Sequence, residues 1–239
     1  MTIINTNARS LTPKIDSLIE CFSELDVDIG IVTETWLKSG VELDLDLRDL
    51  EDGTGIAGFC LNRDPNPRTG VAHGGVAVFY KKSLGNMKVV DINNPEKFEI
   101  LTVAGSIRGS ARKIGIIAVY LPPNYSTGRA NRAIEHVENI IIELRRKYTD
   151  PYLVLAGDFN QWPVEQALAE FGDMREVEVG PTRGTRSIDR VFCNMFRMIL
   201  SSGTVPALET EADSPELAAV SDHRIAHFTA KLPVRQRQE

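Results

Sequence analysis

No stretch of this 239-residue chain stays apolar for long enough to cross a bilayer, and the opening Met1-Thr2-Ile3-Ile4-Asn5 has neither the basic region nor the cleavage site of a secretory leader. An intracellular protein with no membrane partner is the expectation. Cysteine is scarce. Cys21, Cys60 and Cys193 are odd in number, widely spaced and set in apolar segments, so the chain suggests no disulfide partner and no zinc site; buried free thiols are expected. Basic charge is also in deficit, with a formal net charge of -6. That argues against a general nucleic-acid coat protein, which needs a basic surplus, but it leaves room for a basic rim around an acidic site. Tandem repeats, low-complexity segments and linkers are missing as well. With 42% hydrophobic and 25% charged residues the composition is that of an ordinary globular protein, and one domain over 1–232 with a frayed tail at 233–239 is expected.

What is present is a series of strands with polar tips. Residues 2–6 predict a short strand ending in Asn5-Thr6-Asn7. Thr12-Pro13 signals a helix start, with Ile15, Leu18, Ile19, Phe22 and Leu25 at helical spacing, and 28–33 is a second buried strand followed at once by Glu34. Residues 37–52 form an acidic connection whose alternating leucines and missing glycine turn fit a solvated segment better than a calcium loop. Strands at 56–61, 74–80, 87–92, 98–107 and 113–120 follow without an intervening helix, which requires antiparallel pairing. A helix at 130–147 places Ala133, Ile134, Val137, Ile140, Ile141 and Leu144 on one face. The apolar strand 152–156 runs into Gly157-Asp158-Phe159-Asn160, a short helix covers 163–171, and strands near 174–179, 187–193, 197–204 and 224–231 complete the chain, with an acidic loop at 206–220. Strand-helix alternation in two places with meanders between predicts two mixed β-sheets packed face to face with helices outside.

Chemistry is expected at the strand tips. A buried strand that runs through glycine into two short polar side chains delivers Asp158 and Asn160 rigidly to a sheet rim. There an Asp can bind metal or orient water, and an Asn can hydrogen-bond a phosphate oxygen. Such residues also close ordinary turns, and the pair gains weight because other strand ends carry similar groups: Asn5, Asn7, Glu34, Tyr120, Asp189, Asp222 and His223. Their contexts are Ile4-Asn5-Thr6-Asn7, Thr33-Glu34-Thr35, Val119-Tyr120-Leu121-Pro122, Gly157-Asp158-Phe159-Asn160, Ser187-Ile188-Asp189 and Ser221-Asp222-His223. In this order they resemble the exonuclease-endonuclease-phosphatase superfamily, to which exonuclease III, the apurinic/apyrimidinic endonucleases and DNase I belong. Tyr120 resembles the apurinic/apyrimidinic branch, since the DNase I and sphingomyelinase branches usually have histidine there. Asn7-Ala8-Arg9-Ser10-Leu11, Thr33-Glu34-Thr35-Trp36-Leu37, His73-Gly74-Gly75-Val76-Ala77-Val78 and Pro181-Thr182-Arg183-Gly184 are similar, more narrowly, to endonuclease domains of non-LTR (LINE-type) retrotransposons.

The resemblance implies a four-layer α/β sandwich and a magnesium-dependent endonuclease, Mg²⁺ being replaceable by Mn²⁺, that nicks one strand of double-stranded DNA to leave 3′-hydroxyl and 5′-phosphate ends. In the retrotransposon group the 3′-hydroxyl primes reverse transcription at the target site, which implies fusion to a reverse transcriptase and action in the nucleus. It further implies that Glu34, with Asn5 or Asn7 beside it, is a metal ligand. Asp158 orients and deprotonates the water, and Asn160 fixes that water or a phosphate oxygen. His223, kept cationic by Asp189, binds the scissile phosphate; Tyr120 donates to a phosphoryl oxygen; Asp222 assists the metal or His223. Asn7 stands where the family often has Asp, and it is neutral. Asn7, Arg9, Arg129, Arg132, Thr182, Arg183, Arg186 and Ser221 are assigned to the DNA interface. Trp36 and Trp162 either stack on bases or pack on loops, and His73 and His227 are expected to be an exposed loop residue and a structural one. The connection from Thr182 to Asp189 leaves little room for a groove-inserting hairpin, so weak sequence specificity is expected. The rival readings are an abasic-site endonuclease or another phosphodiesterase or phosphatase of the same fold, and a degenerate domain that binds DNA or protein without cutting.

Overall fold

The structure, a computed structural model, describes residues 1–37, 55–63, 73–90, 92–208 and 221–233. Most of the acidic connection at 37–52, most of the acidic loop at 206–220 and the tail beyond Pro233 lie outside the described residues.

Among the described residues, twelve strands and three α-helices follow in the order β1 (Thr2–Asn7), α1 (Ile15–Glu24), β2 (Ile29–Thr33), β3 (Ile56–Leu61), β4 (Val76–Lys81), β5 (Met87–Val89), β6 (Ile100–Ser106), β7 (Lys113–Tyr120), α2 (Thr127–Lys147), β8 (Tyr152–Asp158), α3 (Glu165–Leu168), β9 (Arg175–Glu176), β10 (Asp189–Cys193), β11 (Ile199–Val205) and β12 (Ile225–Ala230). They build two six-stranded sheets, ordered β11-β12-β1-β2-β4-β3 and β5-β6-β7-β8-β10-β9. Both sheets are mixed: β1 runs parallel to β2 and β7 parallel to β8, while their other neighbours are antiparallel. A parallel pair needs a crossover, and here α1 and α2 supply it.

Three apolar layers hold the stack together. Between the sheets Ile3, Ile31 and Val78 meet Val103, Ile116 and Val154. Outside the first sheet Leu18 and Phe22 of α1 pack on Ile4, Val32 and Phe79, and outside the second Val137, Ile141 and Leu144 of α2 pack on Leu153 and Leu155. The result is the four-layer α/β sandwich.

The alternation of strand side chains positions the site. In β1, Ile3 faces the other sheet and Ile4 faces α1, so Asn5 and Asn7 share the inner face with Ile3. The same period places Tyr120 with Ile116 and Ala118, Asp158 with Val154 and Ala156, and Asp189 with Val191 and Cys193. Four inner faces therefore end in polar groups at one rim. Gly157 lets β8 approach β7 there: its φ is +154° and a Cβ would lie 1.7 Å from the Val119 carbonyl oxygen.

Several local expectations change. Thr12 does not cap α1; a 3-10 turn at Thr12–Lys14 precedes it, with no side-chain cap. The buried Lys14 ammonium instead donates to the carbonyls of Ala8 (2.6 Å), Arg9 (3.2 Å) and Ser10 (3.4 Å), fixing the loop after β1. The second helix starts earlier than expected because Ser126 caps it, its Oγ accepting the Arg129 N–H at 3.3 Å. The helix expected at 163–171 is the four residues of α3, and the strand expected at 174–179 shrinks to the two of β9. Only Cys193 is a buried thiol; Cys21 and Cys60 are half-buried.

Candidate active site

At the rim, Glu34 follows β2 with a left-handed backbone (φ +49°), which turns its side chain into the space between the sheets' ends. Its Oε1 accepts the Asn7 amide at 2.8 Å and the Tyr120 hydroxyl at 2.9 Å, and its Oε2 accepts the Trp36 indole at 3.3 Å. The same Asn7 nitrogen donates to Asp158 Oδ2 at 2.8 Å, so one neutral amide links the two carboxylates. Burial first, and then the Glu34 charge, raise the Tyr120 pKa, which keeps the phenol a donor. Sequence reasoning missed Glu99. Buried just before β6, it accepts the Gly75 N–H at 2.6 Å and the Arg63 guanidinium at 3.0 Å, and so holds the Gly74-Gly75 turn to which the Trp36 N–H is bonded. A charged residue between Phe98 and Ile100 was its only signal.

A second network stands beside the first. Asp189 pairs in register with Asp158 across β10 and β8. Its Oδ2 lies 2.7 Å from His223 Nδ1, and both side chains are buried. Asp189 makes no bridge to its neighbour Arg190, whose guanidinium is taken by Glu165 and Glu176. Burial, followed by the nearby Asp189 charge, pushes the Asp158 pKa up to about 7. For His223 burial acts downward, yet the Asp189 hydrogen bond and the surrounding carboxylates outweigh it and the net shift is upward. With Nδ1 committed to Asp189, Nε2 is left without a hydrogen bond among the described residues, its nearest charged neighbour being Asp222 at 3.7 Å. The Asn160 N–H donates to Asp158 Oδ1 at 2.9 Å, and its amide nitrogen donates to the Leu121 carbonyl at 3.0 Å, so Asn160 braces Asp158.

Several expected contacts move. Asn5 does not touch Glu34; its amide donates to the Gly157 (3.2 Å) and Arg190 (3.4 Å) carbonyls and ties the two sheets together beneath the site. Thr182 and Ser221, expected to meet DNA, are buried and act on the site from behind. The Thr182 hydroxyl accepts the N–H groups of Ile188 (3.2 Å) and Asp189 (3.1 Å). The Ser221 hydroxyl donates to the Asn7 carbonyl at 2.6 Å and accepts the His223 N–H at 3.2 Å. Asn7 is fully buried and likewise out of reach of a duplex. Arg129 stacks over Tyr125 at 4.6 Å and reaches the Glu96 carbonyl, and Arg132 grips the Glu96 carboxylate with two bonds, so both are engaged on the protein itself. Asp222 lies 3.7 Å from His223 Nε2 and is held by Arg9 and Arg183. Arg183 and Arg186 face each other across a tight turn, and with Asp222, Asn160 and Gln161 they line a cleft of about 690 Å³. Trp162 packs, its indole donating to the Pro122 carbonyl at 3.1 Å; Trp36 packs edge-on with the exposed His73 at 4.7 Å.

Two groups could hold a cation. Glu34 is a half-buried, pre-oriented carboxylate drawn towards Asp158 by Asn7, and such hard oxygen donors suit Mg²⁺, which binds through one or two carboxylates and keeps its remaining waters. Asp158, Asp189 and His223 also bring ligand atoms within 4.8 Å of one another, but Asp189 Oδ2 and His223 Nδ1 are spent on each other. Glu34 is therefore the better-suited metal ligand, and the second group is suited to proton handling.

A sequence profile of the endonuclease/exonuclease/phosphatase family matches residues 4–223. No curated protein matches the chain by sequence. Among solved structures it is similar to an AP endonuclease from Archaeoglobus fulgidus, at 14% identity over 97% of this chain and 100% of that one with a TM-score of 0.63. It is also similar to the endonuclease domain of TRAS1, a telomere-specific non-LTR retrotransposon (18%, 97% and 98%, TM-score 0.58), and to the catalytic domain of APE2 from Xenopus laevis (18%, 100% and 94%, TM-score 0.61). At these identities the structural likeness is one of fold. The profile match is more telling, because it runs from the strand that carries Asn5 and Asn7 to His223 itself: the chain belongs to the endonuclease/exonuclease/phosphatase family of metal-dependent hydrolases.

Proposed function

We propose that this chain is an endonuclease that cuts one strand of duplex DNA and leaves 3′-hydroxyl and 5′-phosphate ends. The observation that carries the reading is the facing pair at the rim: a buried Asp158 that takes up a proton near neutrality, beside a His223 whose Nε2 is kept a donor by Asp189. In this mechanism a water oxygen bonds to phosphorus, its proton passes to Asp158, and the bond from phosphorus to O3′ breaks as the departing oxygen takes a proton from a solvent water. The hydroxide left behind is neutralised by the proton that Asp158 later releases. His223 Nε2–H donates to the scissile phosphate, and Asn160 holds Asp158 in line. The Tyr120 hydroxyl, which rests on Glu34, turns to a phosphoryl oxygen when substrate enters. Glu34 would hold a divalent cation, which would supply positive charge to offset the negative charge developing in the reaction.

The narrower role rests on the motifs shared with non-LTR retrotransposon endonucleases and on the likeness to the TRAS1 domain. In that role the nick primes reverse transcription at a chromosomal target, as part of a longer protein that carries reverse transcriptase and works in the nucleus. The test is turnover on end-labelled intact and abasic duplexes, followed by polymerase extension of the product. Nicks in intact DNA with extendable 3′ ends are expected. Cutting confined to abasic DNA, or removal of 3′-phosphates alone, would contradict the proposal.

A further inference from the structure

Asp222, the neighbour of His223, is held by two arginines from different loops. Arg9, from the loop after β1, places Nη1 2.9 Å from its Oδ1, and Arg183, from the turn before β10, places Nε 2.7 Å from its Oδ2. Each oxygen of one carboxylate thus engages its own guanidinium, as the two non-bridging oxygens of a phosphodiester would. The three side chains are 45%, 42% and 45% exposed for Arg9, Asp222 and Arg183, so the arrangement is no interior staple and exchanges readily. Both arginines are nevertheless pre-set. Arg9 and Ser10 have left-handed backbones (φ +44° and +85°) whose carbonyls are gripped by Lys14, and Arg183 sits in a turn closed on Arg186. The 690 Å³ cleft opens beside Arg183 and Asp222, and there Arg186 has no side-chain partner among the described residues.

We infer that Asp222 is a resident stand-in for a backbone phosphate: it keeps Arg9 and Arg183 spread as an anion clamp in the free protein and yields the clamp to a DNA phosphate neighbouring the scissile one. The inference rests on the nuclease reading for the identity of the ligand, but the clamp itself is a property of the three side chains. It assigns Asp222 no metal. It also gives the phosphate-binding arginines expected from sequence a defined partner and a state in which they wait.

The experiment is fluorescence anisotropy of a short labelled duplex with the full chain in EDTA, where no cutting occurs, over a range of salt. Arg9→Gln and Arg183→Gln should each weaken binding several-fold and lower the slope of log K against log salt by about 0.9 for each phosphate no longer neutralised. Asp222→Asn should tighten binding about fivefold, the size set by two exposed ion pairs. In the Arg9→Gln/Arg183→Gln background the same substitution should do nothing. Unchanged or weaker binding by Asp222→Asn, or a gain that persists without the arginines and so reflects bulk charge, overturns the clamp. If the wild type binds no duplex, the nuclease reading fails by itself. The clamp is then decided by the Arg183 Nε–H resonance on adding inorganic phosphate: a shift larger in Asp222→Asn than in wild type supports it, and no shift overturns it.

Discussion

Replacing Asp189 by Asn keeps the shape of the site and removes one buried charge. A charge-assisted hydrogen bond of 2.7 Å contributes roughly 1.5–3 kcal/mol, and one pKa unit corresponds to about 1.4 kcal/mol, so His223 should lose about one to two units of proton affinity. Burial, which already acts downward on the ring, then prevails. The same substitution takes away the like charge that helps to raise Asp158, so the base titrates lower as well. In the profile of kcat/KM against pH at saturating Mg²⁺, Asp158 sets the acid limb, because it must lose its proton, and His223 the alkaline limb, because it must keep one. Both limbs should therefore shift to lower pH. Stability follows with a definite sign. A histidine pKa raised in the folded state stabilises fully below the unfolded value of 6.5 and is lost as pH rises through the folded value. The gap in urea unfolding free energy between wild type and Asp189→Asn should accordingly be widest below pH 6.5 and narrow above it. An alkaline limb that stays in place in the Asn variant would refute this account of His223.

Three further outcomes test other parts of the site. Thr182→Val, which leaves the Ile188 and Asp189 N–H groups buried without an acceptor, should cost about 2 kcal/mol in urea unfolding and lower kcat with the salt slope of DNA binding unchanged; a changed slope would return Thr182 to the DNA interface. Lys14→Met strips three carbonyls of their donor and should destabilise by roughly 2–4 kcal/mol, with a melting temperature equal to wild type counting against the role given to the ammonium. Glu34→Gln should raise the Mg²⁺ concentration for half-maximal activity by about tenfold or more at nearly unchanged melting temperature; an unaltered Mg²⁺ titration would remove Glu34 from the metal site.

The layers and the strand-borne part of the rim were legible from strand periodicity, whereas Glu34, Asn160, Asp222 and His223 lie just outside strands and were legible only as motifs. Once Ile3, Ile116, Val154 and Val191 face inward, Asn7, Tyr120, Asp158 and Asp189 must end on the same inner faces. Roles decided by a single rotation or by a long-range partner were not legible. Asn5 and Asn7 share a face, yet the pairing of β1 with β2 puts Asn7 against Glu34, while the stacking of the two sheets puts Asn5 against the Gly157 carbonyl. Thr182 and Ser221 are assigned to the DNA interface from sequence, because nothing local announces that their hydroxyls turn inward to Asp189 and Asn7. A buried lysine runs against composition-based expectation, and Lys14 is satisfied solely by carbonyls of a loop bent through left-handed residues.

The central claim is that Asp158 and His223 serve one metal-dependent phosphodiester cleavage. The most direct measurement is conversion of supercoiled plasmid to open circle with Mg²⁺ or EDTA, comparing wild type with Asp158→Ala and His223→Ala. Nicking by wild type in Mg²⁺ that disappears in EDTA and in both variants is the predicted result. Nicking that survives in either folded variant, or a folded wild type that leaves the plasmid supercoiled, would contradict it.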